Sequence, residues 1–526
     1  MNKLSSPFKE RVKWLYPWII ILVFISYGLV KVPPKYSFSS DSLIKVIQAQ
    51  SLLENNFQSE NLHYAFRDID PDYKFYPADL HIYHLHFNGH HIGPFGVIFS
   101  AITSPFLVLL KYEYLPLIST LIMFLILLSL RRWWQISNYV LLLTAMGTSL
   151  IIYGLEFSEN ILFIAMAYIS FSIILRERLF KSTNIQAISA GLLLGFSIWF
   201  RLESLLFFGA FFISWLLIFG WRDRNKMQTL LIFSTSFTFA VLLFLIFNYF
   251  NYGNILGPKY LADQENFYQS ITEKLKLYLY IWFFRIESGF PKVGFFGLTP
   301  LFFVSLLIGF IPRFYKTMKP SEKILLITVT ILLLLVPITA PHDGRWSWGA
   351  RYLSLAILPF SIISNSILNN INFSEKYKII AKRSLLTILF IHSFFFALLG
   401  IELLSKSAET MRNVQKDMSQ FQADIRLFDS EILAMHTGTQ LLSHPTMLAR
   451  DTDTLREAIS LLKKHHSGKI LAYTECSLLD ALLAQGGKKN SADKNKYDAE
   501  LKSNLTFIEK KVLPHYEVSM SFYKIP

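Results

Sequence analysis

The 526-residue chain has one cysteine, Cys476, which excludes an internal disulfide and any cysteine-built metal cluster. Charge is also scarce. Asp, Glu, Lys and Arg make up 17% of the residues, where a soluble domain carries about 25%. No internal repeat, glycine-rich phosphate loop or nucleotide-sugar site is apparent in the sequence. What fills the space is apolar: 52% of residues belong to the AVILMFWYC set, and Phe alone occurs 48 times. Disorder, collagen-like structure and a purely soluble fold are thereby excluded. The formal net charge of +14 raises nucleic acid as a partner, so the placement of the basic residues matters.

Apolar runs able to cross a bilayer need about 17–25 residues. About eleven occur: 14–30, 115–130, 137–155, 160–175, 185–200, 202–220, 228–250, 293–311, 324–340, 352–368 and 384–403. The first follows Lys3, Lys9, Arg11 and Lys13 and ends at Lys31-Val32-Pro33-Pro34 without a small-residue cleavage site, so it reads as an uncleaved anchor. A twelfth run, 94–110, is decided by charge. With 94–110 in the interface and the N-terminus cytoplasmic, the cytoplasmic segments 1–13, 131–136, 176–184, 221–227, 312–323 and 369–383 hold 20 Lys and Arg against 5 Asp and Glu. That is the positive-inside pattern. If 94–110 crossed, every later basic loop would face outward. The segment is therefore expected to be an interfacial or re-entrant helix. The rest of the chain carries 31 basic and 32 acidic residues, which leaves no surplus for nucleic acid.

This topology predicts an α-helical polytopic membrane protein. Its core is 1–403, with an outer first loop 31–114, and 404–526 forms a small α/β domain on the same outer side. Within the latter, 404–428 reads as helix-compatible, 431–436 as a buried strand, 452–466 as an amphipathic helix, 469–474 as a strand, 477–485 as a helix, 486–496 as a loop and 516–523 as a final strand.

Candidate chemistry gathers on the outer side. Asp41 opens the amphipathic stretch 43–53, at the helix N-cap by its spacing. It can serve as a cap, as a general base at the membrane surface, or as both. His81, His84, His86, His90 and His91 crowd eleven residues and read either as a metal site or as the lining of a polar pocket for an anion. Arg201 interrupts an apolar stretch, where a charge is expensive. It can pair with Glu203 or hold a lipid phosphate. The loop 341–351 carries His342, Arg345, Trp346, Trp348 and Arg351. These combine cations for phosphate with ring faces for a sugar. Lys259 adds a cation after the 248–257 turn.

In order along 15–403, these segments resemble the C-type superfamily of polytopic glycosyltransferases, which includes protein O-mannosyltransferases and the lipid A aminoarabinose transferase. Asp41 with Ala49-Gln50-Ser51-Leu52 resembles the family's first-loop acid and its helix. Gly89-His90-His91-Ile92-Gly93-Pro94-Phe95-Gly96 resembles a Tyr-Pro-Pro-Gly turn with one proline kept. Gly191 to Gly195 and Arg201 resemble "G-L-x-x-G…R-x-E". Asn251-Tyr252-Gly253-Asn254 to Tyr260 resembles "F-G-N-P…G-Y" without its proline. Trp348-Gly349-Ala350-Arg351-Tyr352 with Pro359 resembles "W-G-x-R-Y…P".

The resemblance implies a polyprenyl-phosphate sugar donor, an envelope glycolipid, glycan or protein as acceptor, and transfer with inversion at the outer face of a bacterial inner membrane. It implies Asp41 as base, and Glu156 or Glu159 as the second acidic group that some relatives carry. Arg201, Lys259, Arg345, Arg351, Trp348, His90 and His91 are the candidates for binding donor phosphate and sugar. A divalent cation is left open as cofactor. Competing expectations are an O-antigen polymerase or ligase and a non-enzymatic transporter or scaffold. The near absence of charges at the span centres and of repeats speaks against transport.

Overall fold

The computed structural model describes residues 7–526 except 39–40, 79–82, 177–181, 264–269, 288–289, 343–347, 372–374, 421, 477–490 and 513–517. The chain forms two compact units, Met1–Pro34 with Pro116–Leu404, and Lys35–Leu115 with Ser405–Pro526.

The first unit is helical. Ten of the eleven expected runs fall mainly on helix, while 293–311 starts at the end of the strand Phe290–Val293 and is split into the helices Phe295–Leu298 and Pro300–Gly309. Among the described residues, six helices are long and apolar enough to cross a bilayer, and Glu159–Leu175, Glu203–Phe219 and Pro300–Gly309 are shorter apolar helices of the same unit. The run 137–155 is two helices, Asn138–Met146 and Leu150–Leu155. The break falls at Gly147, whose carbonyl accepts from the Thr299 hydroxyl at 2.7 Å.

In lipid the helices are not driven together by water, so close backbone approach and small polar groups hold them. Gly191 and Gly195, four residues apart on Thr183–Phe196, let the helix Arg224–Tyr252 come very near. A Cβ on Gly191 would lie 2.3 Å from the Phe233 carbonyl oxygen, and one on Gly195 would lie 2.6 Å from Ala240 Cβ. Buried hydroxyls join other helices: Thr144 to Ser361 at 2.7 Å, Ser305 to Ser364 at 2.8 Å and Thr328 to Ser214 at 3.0 Å.

In the second unit the helix Asp41–Glu54 packs on Val97–Leu109. Ser104 donates across that contact to the Ala49 carbonyl at 3.0 Å. Val97–Leu109 has 13 residues, so it is about 20 Å long, short of the roughly 30 Å of a hydrocarbon core. Its face toward the unit is Phe99, Ser100, Thr103 and Ser104, while Ile102, Val108 and Leu109 are exposed.

The remainder of this unit is built on a five-stranded sheet in the order Thr446–Leu448, Ile425–Phe428, Ile470–Cys476, Val518–Lys524, Thr506–Val512. The first three strands are parallel and the last two pair antiparallel. Its core joins Phe428, Leu448, Ala472, Met520 and Phe522 to Val414 and Met418 from the end of the helix Lys376–Ser419. The helix Thr452–His465 buries Leu455, Ala458, Ile459 and Leu462 and is capped by Asp451.

Several expectations are corrected here. Residues 431–436 form the helix Glu431–His436, not a strand, because Ser430 caps it and Glu431 sits in its first turn. A six-residue apolar run has no period that separates the two forms. Within 404–428 helix ends at Ser419 and the strand Ile425–Phe428 follows. Residues 491–496, expected in a loop, begin the helix Ser491–Asn504. The strands Thr446–Leu448 and Thr506–Val512 were not anticipated. The expected helix 477–485 lies outside the described residues.

Candidate functional site

Among the described residues, Asp41 opens the helix Asp41–Glu54. It is half-buried, and its Oδ1 accepts a hydrogen bond from the Tyr83 hydroxyl at 2.9 Å. A helix N-terminus favours the ionised carboxylate. The arrangement suits a base: a negative charge held in one orientation, with one oxygen anchored by a neutral donor. Tyr83 escaped the sequence reading because nothing periodic links it to Asp41 across 42 residues.

The histidine-rich segment is a hairpin, Leu85–Phe87 paired with His90–Ile92. Asn88 and Gly89 turn it with φ of 48° and 77°, a two-residue turn for which Asn-Gly is the strongest short signal. His84 Nε2 meets His91 Nδ1 at 2.8 Å. The Tyr73 ring stacks on His91 at 4.1 Å, and His86 stacks at 4.7 Å. Burial, then the neighbouring His84 and His86, pushes the His91 pKa down to about 4. This imidazole is therefore neutral near pH 7, packed and paired. His90 is exposed on the hairpin. No group of three or more metal-ligating side chains occurs among the described residues, and His81 lies outside them.

The first unit holds the cationic cluster. Arg201 follows the 3-10 turn Ser197–Trp199 and precedes the helix Glu203–Phe219. Its Nε and a terminal nitrogen both donate to Glu203 Oε1, at 3.1 and 2.6 Å. The other terminal nitrogen donates to Asn160 Oδ1 at 2.8 Å. The guanidiniums of Arg201 and Arg351 both lie over the Tyr352 ring, at 5.4 and 5.3 Å from its centroid. The Tyr352 hydroxyl meets the His342 ring at 3.3 Å.

Glu159 is 8% exposed and starts the helix Glu159–Leu175 beside Asn160, while Glu156 ends the preceding helix. Glu159 and Arg351 act electrostatically on Arg201. Glu156, Arg201 and Arg351 act together on the buried Tyr153. The fold thus gathers Glu156, Glu159, Arg201 and Arg351, and adds Asn160, Glu203, Tyr352 and His342. Two guanidiniums lying over one ring, with little water near them, form a paired cationic surface of the kind that phosphate oxygens accept from.

Trp348 is turned to the helix Lys376–Ser419, where its indole donates to the Phe396 carbonyl at 3.1 Å. A Cβ on Gly400 would lie 2.5 Å from this indole. Lys259 lies in the short helix Pro258–Asp263, after a left-handed Gly253 has ended the helix Arg224–Tyr252. Arg345 and Trp346 lie outside the described residues.

No family model and no curated protein matches the chain. Solved structures do. ArnT from Cupriavidus metallidurans bound to undecaprenyl phosphate is similar with a TM-score of 0.52 and 11% identity, over 97% of this chain and 98% of that one. The apo state of the same protein gives 0.53 and 12%, over 98% of each chain. The chain has the C-type glycosyltransferase fold.

Proposed function

We propose that the protein is a multi-pass membrane glycosyltransferase. It moves a sugar from a polyprenyl-phosphate donor to a hydroxyl of an envelope lipid, glycan or protein at the outer face of a bacterial cytoplasmic membrane. The observation that carries this reading is the end-to-end likeness to a fold seen bound to undecaprenyl phosphate. Asp41 at the start of its helix and the two guanidiniums over the Tyr352 ring are the groups assigned to the chemistry.

In the proposed step the acceptor O–H bond breaks and its proton passes to Asp41. The acceptor oxygen bonds the anomeric carbon as the carbon–oxygen bond to phosphate breaks. The polyprenyl phosphate leaves with that electron pair. Attack opposite the leaving group inverts the anomeric centre. Arg201 and Arg351 are the assigned phosphate ligands, because charge that grows on the leaving oxygens is worth most in a dry site with preplaced cations. Lys259, Arg345 and His90 are assigned to the donor as well, whereas His91, paired with His84, and Trp348, packed on the helix Lys376–Ser419, are assigned to holding the fold around the site. Glu156 and Glu159 are assigned to shaping the cationic cluster.

Asp41→Asn tests the reading. Mass analysis of envelope glycans in a deletion strain should show a missing sugar that the wild-type chain restores. The variant should insert and fold, yet transfer about 100- to 10,000-fold more slowly, the usual contribution of a general base. Full restoration by Asp41→Asn would remove Asp41 from the chemistry.

A further inference from the structure

The guanidinium of Arg201 has three printed supports of different kinds in the fold. Glu203 Oε1 accepts from its Nε and from one terminal nitrogen. Asn160 Oδ1 accepts from the other terminal nitrogen at 2.8 Å. The Tyr352 ring lies against the guanidinium, 5.4 Å from Cζ to the ring centroid. A guanidinium carries five N–H groups. Among the described residues, the three hydrogen bonds leave one N–H on each terminal nitrogen.

These supports do different things. Glu203 stands two residues from Arg201, so it travels with it whenever that turn of chain moves. The Tyr352 ring limits tilt but does not direct any one N–H. Asn160 lies 41 residues away in sequence, on the helix Glu159–Leu175. Its bond is the directional one that ties the guanidinium to a different element.

Ser158 sets the Asn160 amide. It is the N-cap of that helix. Its Oγ accepts from the Asn160 backbone N–H at 3.2 Å and from Asn160 Nδ2 at 2.7 Å. With Nδ2 engaged there, Oδ1 is the amide atom that faces Arg201; a flipped amide would set N–H against N–H. Ser158 is 4% exposed and Asn160 8%, so little water competes for either group. An amide oxygen also steadies the cation without adding a second negative charge to the one Glu203 brings.

We infer that Asn160 is a positioning residue for Arg201. Oriented by Ser158, it anchors the guanidinium to the helix Glu159–Leu175 and holds the two remaining N–H groups toward the phosphate of the polyprenyl donor. The inference rests on the proposed role of Arg201 as a phosphate ligand.

The test is a double-mutant cycle on the affinity of the full-length protein in lipid nanodiscs for undecaprenyl phosphate, with undecaprenol as the probe that lacks phosphate. Asn160→Leu is close in shape and has no acceptor. It should weaken undecaprenyl phosphate about 10-fold, the scale of a hydrogen bond to a charged group, and leave undecaprenol unchanged. The second background is Arg201→Gln with Glu203→Gln, which removes the guanidinium without stranding a buried carboxylate. There the same substitution should have no further effect, because its action runs through Arg201. Asn160→Ala gives the same reading if Asn160→Leu does not fold. No loss in Asn160→Leu, an equal loss in both backgrounds, or a loss shared by undecaprenol overturns the inference and leaves Asn160 a packing residue. Undecaprenyl phosphate held as tightly by the Arg201→Gln, Glu203→Gln protein as by wild type has a different meaning: it removes Arg201 from the donor site, and the inference goes with it.

Discussion

At the scale of single residues, His91 shows how burial sets a charge state. Its ring sits between Tyr73 and His86 and bonds to His84, so protonation would place a cation among groups that disfavour it. Its pKa is held near 4 in the folded chain, chiefly by burial, against an ordinary value of about 6.5. Below about pH 6.5 the unfolded chain binds a proton that the folded chain refuses. The stabilising contribution is therefore complete above that pH and falls as pH drops toward 4. Thermal unfolding in detergent should show a loss between pH 6.5 and about 4 that is smaller in His91→Phe, which keeps the stack and removes the titration. Equal losses in both proteins would assign the acid sensitivity elsewhere. Residues of this kind differ in how well a sequence displays them. Arg201 stands out because it breaks an apolar run. Its partners Asn160 and Tyr352 do not, because only the fold brings positions 160, 201 and 352 together.

At the scale of elements, the apolar runs were readable because one feature, length without charge, governs both the sequence pattern and the helix. Two strands were readable as well, 469–474 and 516–523, which are Ile470–Cys476 and Val518–Lys524, but others were not. Thr446–Leu448 has three residues and is wholly buried, and Thr506–Val512 is exposed along almost all its length, so neither alternates. Gly191 and Gly195 were noted as part of a resemblance, and the structure gives them a packing reason. The Cβ of any larger residue at 191 meets backbone rather than a movable side chain. Gly191→Leu should therefore lower the stability of the solubilised protein by about 1–3 kcal/mol or more, the range for forced overpacking. Gly209→Leu is the matched control, since a Cβ there meets nothing within 4 Å, and its melting temperature should stay close to wild type. Similar losses in the two variants would mean that the glycine pair is not what sets the approach of the two helices.

At the scale of the whole molecule, the charge distribution and the helix lengths bear on the same question from different sides. Twenty basic residues fall in six short segments that share a side only if 94–110 does not cross. The helix formed there, Val97–Leu109, is too short for an untilted crossing, and it packs on the helix of Asp41 through small polar residues while its larger apolar ones face outward. That is how a helix lying in the headgroup boundary presents itself. The single cysteine makes the matter simple to settle, because Cys476→Ser gives a background without thiols. In intact cells, a membrane-impermeant thiol reagent should label Lys111→Cys from the outer side and leave Arg132→Cys unlabelled until the membrane is opened. The helix Leu115–Trp134 separates the two positions, so one crossing is built into the comparison. The reverse pattern would make 94–110 a true span. It would place the basic loops that follow on the outer face, and the proposed site would then need a donor presented from the cytoplasm.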